Sequence, residues 1–505
     1  MKQLARISNQ VTVSGFILCL LANSLQAAPW DNGIVKVSTD KRCLVHENGK
    51  PFFMLGDTVW AMVVRLGRED VVLFLNNRKA KGFNAFLPVL HTPFFAEPNP
   101  KTVYGHRMFE GDARNPDLTR PRVVHGGGPD NPNDFWDHID FIVREAEKRG
   151  IYVGFLPVWG NSLVSNKKSY TNGIARAYGE FVGRRYQGAP NIFWVLGGDC
   201  VPFADRSVDG ADQRPVYRAM AEGIVKGVTG ESPAWNKAHA AWDKVLMTFH
   251  HSPTGKAEQA LWWGQDAWHD FYMFQSAHGS YDLRSDQSFV APLYNASARK
   301  PVLDGEPCYE HHGLRQYNMT GPIFDDYDIR QRAYFSTLAG SIGHVYGNAN
   351  VWHFEDPHDN LQGKWTTKIV HWKQDMDSKG SFHMTHLKTL WDSRSLAGRM
   401  PAKDILAKPL SGARQLVAIK GKGYAMVYAP FGDNISVKLG RLGFKEKKCW
   451  WYNPRDGKAE LIKTTGSNDN ETFNPPGDAV RKNDLLLVID DAGKGWGAPG
   501  TVATP

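Results

Sequence analysis

The sequence predicts an α/β chain, a (β/α)8 TIM barrel followed by a small antiparallel β-sandwich domain. Between about residue 50 and residue 352, short apolar runs alternate eight times with helix-period segments, which suits a closed parallel barrel better than an open doubly wound sheet. No GxGxxG follows the first run, so a dinucleotide-binding fold has no support. Past residues 395–405 the pattern changes to short alternating strands separated by turn residues, the mark of an antiparallel domain.

Residues 51–58 form the first predicted strand, ending in Gly56-Asp57, and a helix over 68–81 follows until Gly82 stops it. The second strand, 83–90, closes on His91. The segment 92–133 is dense in Pro, Gly and Asn, too long for a bare connection, and reads as a functional loop. Over 134–149, Phe135, Ile139, Ile142, Val143 and Ala146 repeat at helical spacing, with Asp134 as N-cap and Gly150 at the left-handed cap position. Strand 151–159, helix 171–186, strand 191–199, helix 214–228 and strand 245–251 come next. The sixth strand is placed at 271–278, after a loop carrying Trp262, Trp263 and Trp268. A helix near 288–298, strand 301–305, helix 326–338 and strand 343–352 complete the barrel, and 381–391 is its last helix. The tail strands fall at 414–419, 423–429, 435–438, 448–452, 461–463 and 485–489; Trp450, Trp451 and Tyr452 read as core and interface filling rather than a glycan platform.

The domain reading is a signal peptide over 1–28, a barrel with an N-terminal lead-in over 29–398 and a β-sandwich over 399–505. Lys2 and Arg6 precede an apolar segment at 11–22, too short for the roughly 18 residues of a membrane span, and small residues run up to Ala27 and Ala28. That order predicts a secreted or periplasmic protein without a membrane span once the leader is removed. Loss of Lys2 and Arg6 takes the formal charge from +8 to +6, and no Lys/Arg run is dense enough for a nucleic-acid groove. Aromatic residues make up 12% of the chain, which suits a carbohydrate site. Cys43, Cys200, Cys308 and Cys449 fit neither a zinc spacing nor a disulfide scaffold, while a Cys200–Cys308 pairing stays open. Oligomeric state has no signature in the sequence.

In such a barrel the working face is made by the strand ends and the loops after them. Asp57, His91, Trp159, Asp199, His250, His251, His278, Glu306 and Trp352 all fall there. Two carboxylates on different strands are what glycosidic bond cleavage requires, one to protonate the leaving oxygen and one to attack carbon or activate water. Asp199 and Glu306 are the pair expected to face each other across a sugar, with Asp304 and Glu310 as competitors. For any of these acids the plainer reading is a loop cap or an ion-pair partner. The expected substrate-binding set is Asp57, Trp60, His91, Trp159, His250, His251, His278 and Trp352, with Asp57 equally readable as a pin for the barrel and the 262–268 tryptophans as stacking platforms. The first strand lacks a His-x-His pair and no HExxH occurs, so the histidines read as donors to sugar hydroxyls; no metal and no cofactor is expected.

FFMLGDTVW at 52–60, GFNAFLPVL at 82–90, NIFWVLGGD at 191–199 and KPVLDGEPCYE at 300–310 resemble the apiosidase-like glycoside hydrolases, family 140. WWYNPRDGKAE at 450–460, FNPPG at 473–477 and DLLLVID at 484–490 resemble the collagen-binding-type domain that follows the barrel in that family. The resemblance implies a secreted bacterial enzyme that releases apiose-linked side chains from pectin of the rhamnogalacturonan II type. It also implies Asp199 as acid/base and Glu306 as nucleophile. The pattern of strands four and seven resembles retaining barrel glycosidases, which implies carboxyl groups about 5–5.5 Å apart. The alternatives are a related glycosidase acting on another plant or algal glycan, a metal-dependent hydrolase, and a non-catalytic glycan- or matrix-binding protein on a barrel scaffold. The carboxylate pair argues against the last.

Overall fold

The computed structural model describes residues 28–92, 97–160, 170–202, 212–253, 258–279, 284–314, 321–358 and 365–501. The leader expected over residues 1–28 lies, apart from Ala28, outside the described residues. Eight barrel strands are present: β1 Met54–Asp57, β2 Ala85–Phe86 continued by Val89–His91, β3 Tyr152–Val158, β4 Ile192–Cys200, β5 Met247–His251, β6 Phe271–Gln275, β7 Val302–Glu306 and β8 Gly343–Tyr346. They are parallel and adjacent in chain order from β2 to β8, and β8 pairs with β1. The ring closes where Thr58 bridges Leu87, with the Leu87 N–H donating to the Asp57 carbonyl and the Val59 N–H to the Leu87 carbonyl.

A helix follows each strand: α1 Arg68–Ala80, α2 Phe135–Glu147, α3 Asn172–Arg185, α4 Arg214–Thr229, α5 Gln259–Trp263, α6 Ala291–Tyr294, α7 Asp326–Leu338 and α8 Lys379–Asp392. Asp134 caps α2 by accepting from the Asp137 N–H, Thr171 caps α3 from Ile174, and Asp325 forms a reciprocal capping box with Asp328 at α7. The helix expected over 288–298 is instead a wide turn, Asp286–Val290, running into the single turn of α6. Strand alternation sorts the side chains: Phe193, Val195, Met273, Leu303 and Val345 fill the barrel, while Trp194, Leu196 and Phe249 pack outward against the helices.

Two features position the site. A three-stranded antiparallel sheet, Val35–Val37, Leu44–His46 and Pro51–Phe52, buries Val35, Leu44 and Phe52 against Met54, Tyr152, Phe193 and Phe271, stopping the N-terminal end of the barrel. The long segment after β2 holds a hairpin, Phe109–Gly111 with Pro116–Pro121, which Asn99 clamps by bonding both the N–H and the carbonyl of Phe109.

The C-terminal domain is a six-stranded antiparallel sheet in the order Met400–Pro401, Val417–Gly421, Tyr424–Ala429, Leu485–Asp491, Lys447–Tyr452, Ala459–Thr465. A ribbon of Ile435–Lys438 and Asn470–Phe473 covers one face; the other packs Ile419, Met426, Tyr428 and Val488 against Tyr334, Phe335 and Trp391 of the barrel helices. Trp451 and Tyr452 are buried, and the Tyr452 hydroxyl donates to the His386 carbonyl on α8. The four described cysteines are free and buried; Cys200 contacts the Tyr217 hydroxyl at 3.2 Å, so it does not pair with Cys308. Among the described residues no helix is long and apolar enough to cross a membrane.

Candidate active site

Asp199 and Glu306 both sit where a strand loses its regular register. On β4 the pairing with β5 runs Gly197 to His250 and then Cys200 to His251, so Gly198 and Asp199 are extra residues. Gly197, Gly198 and Asp199 have φ of +86°, +117° and +48° in succession, a path that glycine follows freely and Asp tolerates better than most residues. A Cβ on Gly198 would lie 2.6 Å from the Trp159 ring. On β7, Asp304 faces Phe274 and Glu306 faces Gln275, so Gly305 is the extra residue. Leu303 points into the barrel and Asp304 out of it; strict alternation would send Glu306 outward as well, and the bulge at Gly305 turns it inward.

His250, inward from β5, joins the two. Its Nδ1 accepts from the Asp199 N–H at 3.4 Å, and its Nε2 is 3.1 Å from Glu306 Oε2, close contact without full hydrogen-bond alignment. His278 repeats the arrangement: Nδ1 accepts from the Tyr309 N–H at 3.3 Å and Nε2 is 3.6 Å from Glu306 Oε1. A ring whose Nδ1 accepts carries its proton on Nε2, so two N–H groups face the two oxygens of one carboxylate. Burial raises the pKa of Glu306, but the two imidazoles outweigh burial and hold it well below its ordinary 4.5. His278 also stacks on His312 at 4.0 Å between centroids.

Aromatic side chains wall the site. Trp60 packs at 5.2 Å from Trp159 and 5.5 Å from His250, and its indole N–H donates to the Tyr309 hydroxyl at 2.9 Å. Tyr309 keeps its own O–H to donate and lies beside Glu306. It was not singled out from the sequence, although it stands three residues after Glu306 in the KPVLDGEPCYE run. Trp60, Trp159, Tyr309 and Trp352 belong to one buried cluster with the barrel interior.

Other expected site residues go elsewhere. Asp57 ends β1 on its outer face, where Oδ2 accepts from Arg78 Nε of α1 in a fully buried pair; it pins helix to barrel. His251 follows the inward His250 and so points outward, packed on Phe249 and stacked on Trp262 at 4.7 Å. His91 spends Nδ1 on the Tyr170 hydroxyl and Nε2 on the Pro98 carbonyl, leaving neither for a sugar. Trp263 and Trp268 are buried in the outer core, and Trp262 lies against it, so this group makes no open stacking platform. Asp304 accepts from the Ser276 hydroxyl, and Glu310 accepts from the Tyr346 hydroxyl and the Gly380 N–H, so both competitors are bound into the scaffold. Among the described residues no group of three His, Cys, Asp or Glu side chains is arranged to hold a metal ion.

Residues 38–397 match the family model "Apiosidase-like, catalytic domain", and residues 400–490 match "Putative collagen-binding domain of a collagenase". No curated protein matches the chain. Among solved structures, one described as a glycoside hydrolase is 28% identical with a TM-score of 0.78, covering 92% of this chain and 99% of its own. A glycoside hydrolase family 5 structure from Bacteroides vulgatus is 28% identical with a TM-score of 0.80, covering 95% and 98%. Because the family model spans most of the barrel and both glycoside hydrolase structures align over more than nine-tenths of the chain, the barrel is the catalytic domain of an O-glycosyl hydrolase, and the chain belongs to the apiosidase-like glycoside hydrolase family.

Proposed function

We propose that the chain is an exported, retaining glycoside hydrolase that removes apiose-linked side chains of pectin, with Glu306 as nucleophile and Asp199 as acid/base. The observation that carries the mechanism is the meeting of the two register breaks at His250, which touches the backbone of one acid and the carboxylate of the other. In the first step the Asp199 proton passes to the leaving oxygen while Glu306 bonds to the anomeric carbon and the glycosidic C–O bond breaks. In the second, water gives a proton to Asp199, its oxygen bonds to the anomeric carbon, and the Glu306 ester bond opens. Glu306, kept ionised by the two imidazoles beside it, suits attack rather than proton donation. The apiosidase-like match supports the sugar, and the basic-then-apolar leader supports export.

The test combines two variants with a substrate panel. Glu306→Gln should lower kcat by roughly 10⁴-fold or more with the fold intact. Asp199→Asn should impair substrates with poor leaving groups far more than activated aryl glycosides. Apiose should be released from pectic side chains by the wild type. Full activity in Glu306→Gln would remove the mechanism, and release of another sugar only would remove the substrate.

A further inference from the structure

Away from the barrel mouth, a cleft of about 660 Å³ opens between the end of α7, α6 and the first strands of the C-terminal domain. Arg399 lies at its floor and is only 3% exposed. One of its nitrogens donates to the Ser341 carbonyl and its guanidinium lies 4.6 Å over the Trp391 ring, while Nε and Nη1 have no hydrogen-bond partner among the described residues. Among the described residues no carboxylate pairs with it, and burial lowers its pKa. A buried guanidinium without a counter-charge is costly, since the low-dielectric surroundings neither solvate nor neutralise it.

The walls have the same sign. Arg42 lies 3.7 Å over the Tyr294 ring, and Arg299 and Lys403 reach the cleft from exposed positions. Among the described residues two acids line the cleft; Asp286 is already paired with Arg284, and Asp40 accepts from the Ser38 hydroxyl and the Arg42 N–H. Four cations therefore converge on a cavity of the size that takes a small ligand. We infer that this cleft is an oxyanion-binding site, and that its ligand is the carboxylate of an acidic sugar unit. Arg42, Arg299 and Lys403 contact the anion, and Arg399 supplies the potential from beneath. On a glycoside hydrolase such a cleft holds an acidic glycan away from the reacting bond. It would do so whichever sugar the barrel cleaves, because none of these four residues belongs to the site around Glu306.

The full chain is titrated calorimetrically with trigalacturonate, inorganic sulfate and a neutral trisaccharide. Trigalacturonate should bind, weakening with salt; its dissociation constant should rise at least about 10-fold in Arg399→Met. The exposed pair Arg299→Ala/Lys403→Ala, which leaves the buried packing untouched, should weaken it several-fold. Equal affinity of the wild type and the double variant would overturn the site, as would equal binding of the neutral sugar. Binding of sulfate but not trigalacturonate would overturn the acidic sugar as its ligand.

Discussion

At the scale of single residues, the chemistry rests on how two imidazoles hold Glu306. Their N–H groups favour the charged carboxylate, so its folded pKa lies below 4.5, and activity that needs the carboxylate survives as pH falls through that value. By the same sign, the contribution to stability is present above 4.5 and disappears only as pH falls through the folded value. His278→Ala removes one donor while burial remains, so the acid limb of kcat/KM should move up by about 1 pH unit, read from a pH–rate profile. An unmoved limb would mean that His278 does not hold the charge. Residue identity places acids, histidines and tryptophans at the strand ends; of these, His250 and His278 lie against the Glu306 carboxylate and His250 Nδ1 reaches the Asp199 backbone N–H. It did not separate His250 from His251, because a strand turns adjacent side chains to opposite faces and the phase of that alternation was not read. For Asp57 the two readings, sugar binding and a pin for the barrel, stayed equal in the sequence because its partner, Arg78, lies 21 residues on in another element; the structure shows the pin.

At the scale of elements, the strands themselves were legible from their apolar runs, and the cap of α2 from Asp134, whereas the Thr171 cap of α3 emerges only in the structure. The breaks in β4 and β7 carried a signal that went unused, glycine within a strand, which marks bulges and close backbone approach. The hairpin after β2 had none, since Phe109–Gly111 and Pro116–Pro121 lack apolar alternation. The breaks give a direct prediction. Gly198→Ala puts a methyl group 2.6 Å from Trp159 at a φ of +117°, displacing Asp199. It should lower kcat by about 10²-fold, as misplacing a reacting group by about 1 Å does. Gly230→Ala, at a φ of +78° with open space beside it, serves as control and should cost only stability. Equal kcat in wild type and Gly198→Ala would show that the break does not aim the acid.

At the scale of the whole molecule, buried arginines tie the barrel to the C-terminal sheet. Arg330 of α7 donates through Nε and Nη2 to both oxygens of Asp484, and Arg394, just past α8, does the same to Asp490. Tyr428 adds its hydroxyl to Asp484 at 3.0 Å. Removing one partner of such a buried pair costs about 3–5 kcal/mol, because the other charge stays behind. In calorimetry Arg330→Met should split one unfolding transition into two, the sheet melting first; a single transition at the wild-type temperature would show that the arginine does not couple them. What joins fold to function in the proposed mechanism is the delivery of Glu306 into the barrel mouth as an ionised carboxylate ready to act as nucleophile. The most direct measurement is a peptide mass map after the reaction is stalled with a 2-deoxy-2-fluoro glycoside. One glycosyl adduct, on the peptide holding Glu306, is the predicted result. An adduct on another carboxylate, or turnover with inverted configuration and no adduct, would contradict it.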